Sequence, residues 1–212
     1  MRVRLVGITQ PVEPGTANDL VAYAARVSNP SNQNNKKTAP RLLKYLMEHQ
    51  HWSPFEMVSL TMEITTTRDI ARQILRHRSF SFQEFSQRYA DPATLGDSFV
   101  LREARLQDMK NRQNSIDTDN KEIQAAWKDM QTLVAAEAMD AYEWAIENGI
   151  AKEQARVVLP EGNTKSVLYM AGTLRSWIHY CELRSAHGTQ KEHQKIAKEC
   201  WKIVSKHFPD IS

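Results

Sequence analysis

Hydrophobic positions along this chain change their period several times, and each change marks an expected element. Val3, Leu5 and Ile8 open a short strand-like segment that the Pro11 and Pro14 turn region ends. Asn18 or Asp19 is placed to cap a helix through Leu20, Tyr23, Ala24 and Val27. That helix should stop near Ser28-Asn29-Pro30, because a residue before proline disfavours the helical conformation, and a polar loop follows to Lys37. From about Pro40, Leu42, Leu43, Leu46 and Met47 recur at helical spacing as far as His51. Val58, Leu60, Met62 and Ile64 then alternate with Ser59, Thr61, Glu63 and Thr65, the period-two pattern of a half-buried strand between the Pro54 turn and Thr67.

Ile70, Ala71, Ile74 and Leu75 predict a helix that delivers Arg76-His77-Arg78 at or just past its end. Residues 90 to 120 are polar, with Arg102, Arg105, Lys110 and Arg112, and read as a mobile loop over a site. From about Asp119 to Asn148, the residues Ile123, Trp127, Met130, Val134, Met139, Tyr142 and Ile146 keep a mostly helical spacing, and Gly149 is the expected terminator. Beyond the Glu161-Gly162-Asn163 turn, residues 165 to 185 are expected to form one helix and Thr189 to His207 the last. No internal repeat or low-complexity tract interrupts the pattern.

A length of 212 residues with 41% hydrophobic and 25% charged positions suits one folded domain, 1–212, around a single core. Apolar runs are broken by charge well short of a membrane span, and no signal-like segment opens the chain, so a cytoplasmic protein without a membrane partner is expected. Cys181 and Cys200 stand far apart outside any Cys/His ladder, which predicts ordinary thiols and no metal. His49 with His51, or His187 with His193, does not match a helix-borne zinc pair either. A net charge of +3 is too mild to demand a polyanionic partner, yet Arg68, Arg72, Arg76, Arg78 and Arg88 crowd into one stretch. With only seven glycines and no nucleotide-binding glycine loop, a phosphate here must be held by arginine.

Arg72 and Arg76 lie one helical turn apart and Gln73 three residues before Arg76, so their side chains can converge on one ligand. Guanidinium offers a planar fork for phosphate, and an amide can pair with an imide edge. The plain alternative is a solvated basic helix face. Against it stands the continuation Ser81, Glu84, Ser86, Arg88 and Tyr89, which interleaves hydroxyls and a carboxylate with cations. Ser86 beside Arg88 suits phosphate donation rather than nucleophilic attack, since no His-Asp pair is evident to activate it. Arg175 and His179 share one helical face, whereas Arg184 falls roughly 180° around from Arg175. A different class of function, single-stranded nucleic-acid binding, would use these arginines with Phe80, Phe82, Phe85 and Tyr89 as stacking platforms.

Arg76-His77-Arg78, seven residues, then Ser86-Gln87-Arg88-Tyr89 resembles the signature of flavin-dependent thymidylate synthases. Further segments are similar to that family in the same order: Ala24-Ala25-Arg26-Val27-Ser28, His51-Trp52-Ser53-Pro54-Phe55-Glu56, Ala155-Arg156-Val157-Val158-Leu159-Pro160 and the Arg175 to Arg184 helix. The resemblance implies an α/β fold with an antiparallel-rich sheet packed with helices, and a homotetramer whose sites are shared between subunits. It implies reductive methylation of dUMP to dTMP, with methylenetetrahydrofolate as carbon donor and FAD reduced by NADPH. A relative delivering a hydroxymethyl group to the same nucleotide is the near alternative. Carried over by motif, His51, Ser53, Arg76, His77, Arg78, Glu84, Thr173, Arg175 and His179 are implied to contact FAD. Gln73, Arg76, Glu84, Ser86, Gln87, Arg88, Arg156 and Arg184 are implied to contact dUMP. Arg184 is the implied catalytic cation, stabilising the electron-rich uracil ring as it attacks the one-carbon unit. The chain departs from the family pattern at Gln83, where asparagine is common, and at Gly188, where a histidine often stands and His187 lies one residue earlier. The Phe82-Gln83-Glu84-Phe85 wording is similar to members from large DNA viruses and phages.

Overall fold

Alternation of side chains across two central strands builds the main sheet in the computed structural model, which describes residues 1–211. In chain order the elements are β1 (Arg2–Ile8), α1 (Ala17–Ala25), α2 (Ala39–Glu48), β2 (Ser59–Thr67), α3 (Arg68–Ile74), β3 (Ser81–Glu84), β4 (Arg105–Gln107), β5 (Ser115–Asp117), α4 (Lys121–Glu147), α5 (Lys152–Ala155), β6 (Lys165–Thr173), α6 (Leu174–Ser185) and α7 (Lys191–His207). The sheet is antiparallel in the order β1-β2-β6-β3. On β2 the buried apolar positions are Leu60, Met62 and Ile64. Across the ladder Met62 opposes Met170 and Ile64 opposes Leu168, so one face of the sheet is apolar and meets α6 and α7. Each such side chain contributes about 1.5–3 kcal/mol on leaving water. Opposite Leu60 sits Gly172, and a Cβ there would lie 2.4 Å from Phe80 Cδ1. The missing side chain lets the Phe80 ring close over the strand and meet Trp177 edge-on at 4.9 Å. Trp177 Nε1 donates to the Leu60 carbonyl at 3.2 Å, which fixes α6 on the sheet.

Residues 165 to 185 are not one helix, contrary to the sequence expectation. They divide into β6 and α6. Ser166, Leu168 and Met170 are buried while Val167 and Tyr169 are not, a period of two that a mixed apolar run conceals. The break falls at Thr173, whose hydroxyl accepts from the Ser176 amide and caps α6. A smaller correction concerns α1, whose cap is Thr16 rather than Asn18 or Asp19. Thr16 and Asp19 form a reciprocal capping box. That helix ends at Ala25, and α2 ends at Glu48, three residues before His51.

The segment 90 to 120 carries structure that its polarity hid. It contains the β4–β5 hairpin, and Phe99 bridges to Thr164. It is tied to α4 by two glutamines whose amides imitate a strand partner. Gln131 accepts from the Arg102 amide at 2.9 Å and donates to the Arg102 carbonyl at 2.8 Å, and Gln124 does the same at Ala104. The helix α4 itself runs close to the expected span, with Asn120 as its cap and Gly149 following at φ +75°. Its two halves differ. Tyr142 and Ala145 pack with Ala155 and Leu159, whereas Ile123, Trp127, Met130 and Val134 form a solvent-facing stripe. No helix among the described residues is long and apolar enough to cross a membrane.

Candidate functional site

The motif residues arrive where α3 ends and β3 begins. Arg76, His77 and Arg78 follow the last turn of α3, then Ser81 to Glu84 pair with β6, and Ser86 to Ala90 close a turn through the Ser86 carbonyl. The strand β3 places four of the seven linking residues of the signature, Ser81 to Glu84, along β6, so the two halves of the motif are joined by sheet hydrogen bonds rather than a free loop. Phe85 continues the pairing by donating its amide to the Val167 carbonyl.

At the inner end of this arrangement Arg184 Nε donates to His77 Nε2 at 2.8 Å. This bond requires a neutral imidazole protonated on Nδ1. Burial and the neighbouring Arg184 cation both favour that neutral form and hold the His77 pKa down to about 4. Tyr180 meets the His77 ring edge-on at 5.0 Å and hydrogen-bonds His193 Nε2 at 3.1 Å. His193 in turn reaches the Gln73 amide oxygen at 3.2 Å. Burial, then Arg184 and His77, depress the His193 pKa to about 3.

The outer residues are ion-paired or open to water. Glu84 accepts from Ser166 Oγ at 2.8 Å, pairs with Arg72 at 3.2 Å and lies 3.8 Å from Arg68, while Arg72 also holds Glu161 at 3.0 Å. Arg88 pairs with Glu153 at 3.1 Å, and Arg156 Nε donates to the Glu153 carbonyl. Arg76 and Arg78 are exposed, with no side-chain partner among the described residues. Ser86 receives only the Arg88 amide at 3.4 Å and has no base beside it. Gln87 is buried with its Nε2 unsatisfied, an amide lacking an acceptor oxygen.

On the other side of α6, Arg175 pairs with Glu56 and Ser176 reaches the Ser79 carbonyl. His179 packs edge-on against Trp52 at 4.5 Å. Ser53 and His51 are exposed, and the His51 ring lies 6.2 Å from that of His49. The expected division of α6 therefore holds: Arg175 and His179 face the Trp52–Glu56 turn, and Arg184 faces His77. The structure does not gather the site residues into one cleft of a single chain. Arg72, expected to converge with Arg76, turns instead to Glu84 and Glu161, because two carboxylates outcompete solvent for its fork. Thr173 is occupied as the helix cap. His187 is exposed, and besides His77, which bonds Arg184, the histidine that feels the Arg184 charge is His193 on α7. The sequence did carry a signal for it, since Glu192, His193, Ile196, Ala197, Cys200 and Val204 fall on the buried face of α7. Tyr180, buried one turn before Arg184, was likewise missed, whereas Arg68, noticed in the arginine-rich stretch but given no contact, lies beside Glu84.

A family model described as "Thymidylate synthase complementing protein" matches residues 12–210. A probable flavin-dependent thymidylate synthase of Paramecium bursaria Chlorella virus 1 is 51% identical over 214 residues, covering 100% of this chain and 97% of the relative. A flavin-dependent thymidylate synthase of Synechocystis is 48% identical over 217 residues, covering 100% and 98%. Among solved structures, a UMP/dUMP methylase, PolB, from Streptomyces cacaoi bound with 5-Br dUMP superposes with a TM-score of 0.79 at 28% identity, covering 99% of this chain and 92% of that one.

Proposed function

The chain belongs to the flavin-dependent thymidylate synthase family, and from that premise we propose that it converts dUMP to dTMP with FAD as its flavin. The observation that carries the reading is the sheet-joined motif, which sets two unpaired guanidinium groups, Arg76 and Arg78, beside an arginine–histidine pair of fixed polarity, Arg184 and His77. Two exposed cations without carboxylate partners fit a diphosphate, and the packed Trp52 and His179 rings offer aromatic surface, so the residues present suit FAD. His51, Ser53, Arg76, His77, Arg78, Glu84, Thr173, Arg175 and His179 form its proposed surroundings.

For dUMP the proposed contacts are Gln73, Arg76, Glu84, Ser86, Gln87, Arg88, Arg156 and Arg184. The unsatisfied Gln87 Nε2 supports a ligand oxygen nearby. Ser86, Arg88 and Arg156 hold the phosphate as donors. Arg184 directs its remaining N–H groups at the uracil, and because its Nε is fixed on neutral His77 the cation needs no reorganisation as negative charge grows on the ring. When bound, the flavin supplies the hydride that completes the methyl group. Methylenetetrahydrofolate as carbon source and NADPH as reductant complete the proposed balance.

We extend the proposal to a homotetramer with shared sites. Two observations support it: Arg175 and His179 lie with the Trp52–Glu56 turn on the side of α6 away from Arg184 and His77, and α4 exposes an unpaired apolar stripe of Ile123, Trp127, Met130 and Val134. The test is a titration of the purified protein with FAD, followed by dTMP formation from dUMP, methylenetetrahydrofolate and NADPH. Saturable flavin binding and a methylated product are expected, with a tetrameric mass by light scattering. Absence of flavin binding overturns the reading.

A further inference from the structure

A chain of buried polar groups leads away from the nucleotide side of the site and carries a direction. Arg105 grips Glu192 with both nitrogens, at 2.7 and 2.9 Å. A carboxylate only accepts, so Gln190 Nε2, 3.0 Å from Glu192, must donate to it. The Gln190 oxygen then faces Gln73 Nε2 at 2.8 Å and accepts. That orientation leaves the Gln73 oxygen to face His193 Nδ1 at 3.2 Å, so His193 carries its proton on Nδ1. His193 Nε2 is thereby an acceptor, and the Tyr180 hydroxyl, 3.1 Å away, donates to it. Turning over Gln190 would set oxygen against Glu192 and N–H against N–H at Gln73, and turning over Gln73 would set oxygen against oxygen at Gln190, and each unsatisfied buried group costs roughly 1–3 kcal/mol.

We propose that Glu192, Gln190 and His193 are positioning residues that lock the Gln73 amide in one orientation, so that its one uncommitted N–H is presented to an acceptor oxygen of the bound nucleotide. The inference rests on the reading of Gln73 as a dUMP contact and adds what aims it. The anchor is the Arg105–Glu192 pair, whose arginine comes from β4. The hairpin in the segment 90 to 120 thus acts on the nucleotide through α7 without touching it. Burial and the Arg184 charge keep His193 uncharged, as an acceptor on Nε2 requires. The acceptor oxygen is either on the phosphate or a carbonyl of the ring, and the same lock serves both.

The test uses the FAD-loaded full chain with dUMP and deoxyuridine as ligands. Glu192→Gln replaces an obligate acceptor by a group that can also donate, so the polarity of the chain is no longer defined. Gln190→Met removes both links while keeping the Arg105–Glu192 pair, and serves if the first variant folds poorly. Each should raise KM for dUMP about threefold to tenfold, the worth of one neutral hydrogen bond, with kcat and FAD affinity unchanged. In a Gln73→Ala background neither should add anything. A phosphate contact leaves deoxyuridine binding unmoved, whereas a ring-carbonyl contact moves both ligands equally. Nitrogen-15 resonances of His193 should show the Nδ1–H tautomer. Additive effects of Glu192→Gln and Gln73→Ala, or an Nε2–H tautomer, overturn the lock alone. A Gln73→Ala variant with unchanged dUMP binding overturns both the lock and the assignment of Gln73 to the nucleotide.

Discussion

The floor of the site and its rim handle charge in opposite ways. On the floor, one guanidinium, Arg184, bonds an uncharged imidazole, His77, behind which Tyr180 and a second uncharged imidazole, His193, are joined, and every contact has a single permitted direction. On the rim, Arg72 and Arg88 stand in ion pairs with Glu161 and Glu153 that are about half exposed, and Arg72 also reaches the more covered Glu84. Rim pairs of this kind contribute about 0–1 kcal/mol and exchange readily with water or an incoming anion. Floor contacts cannot be exchanged without stranding a buried donor or acceptor. In the proposed site a nucleotide phosphate would therefore displace a rim carboxylate at little cost, while Arg184, the cation proposed to act on the ring, is already held still.

The sharpest way to break this comparison is at Arg184. Arg184→Ala should lower single-turnover formation of dTMP from saturating dUMP on the order of 100-fold to 1,000-fold, about 3 kcal/mol, with flavin reduction by NADPH unaffected. Arg184→Lys should restore only part of the rate, since an ammonium cannot both hold His77 through a guanidinium nitrogen and keep a planar fork toward the ring. Normal turnover of the alanine variant at saturation would place Arg184 outside the chemistry.

The rim predicts a different signature. Arg88→Ala should raise the dissociation constant of dUMP roughly tenfold to 100-fold, as expected for a charge-assisted phosphate bond. Its effect on unfolding should stay within about 1 kcal/mol, because the Arg88–Glu153 pair leaves 57% and 49% of the two side chains exposed. Isothermal titration and urea denaturation separate the two quantities. A large loss of stability together with unchanged dUMP affinity would show that Arg88 is a structural cation.

The rim was more readable in the sequence than the floor, and the reason is geometric. The rim cations Arg72, Arg76 and Arg88 come with Ser86 from one contiguous stretch, so spacing alone brings them to notice. The floor is assembled from α3, α6 and α7, which are far apart in sequence. His193 lies among Ile196, Ala197 and Cys200 on a buried face, where a histidine reads as core. The fold shows the same contrast. The strand β2 alternates cleanly because one of its faces is polar. The strand β6, central in the sheet, was taken for the start of a helix because its run Val167-Leu168-Tyr169-Met170-Ala171 is apolar on both faces. Hairpin β4–β5 went unseen because its two strands have three residues each and its attachment to α4 runs through glutamine amides rather than hydrophobic contacts.

The smallest expected effect separates floor from rim by protons alone. On the floor, His77 and His193 are held neutral in the folded chain, with pKa values depressed to about 4 and about 3. In the unfolded chain both rings take up a proton near pH 6.5. Below that pH the unfolded state binds more protons than the folded one, so stability must fall as pH falls. The loss begins near pH 6.5 and continues down to the folded values, with each ring contributing on the order of half a kcal/mol between pH 7 and pH 6. Glu192 acts over a lower window. Burial alone would raise its pKa, but hydrogen bonds led by Arg105 outweigh burial and hold it at about 2. Its stabilisation is present above about pH 4.5 and fades toward pH 2, outside the range of the measurement. Urea denaturation at pH 7 and pH 6 should therefore show a decline in the parent protein that His193→Gln reduces, because an amide can occupy the space without titrating. Arg88→Ala should leave the decline unchanged. If His193→Gln loses stability with pH as steeply as the parent, the buried ring is not the proton acceptor and the contrast between floor and rim does not extend to their titration.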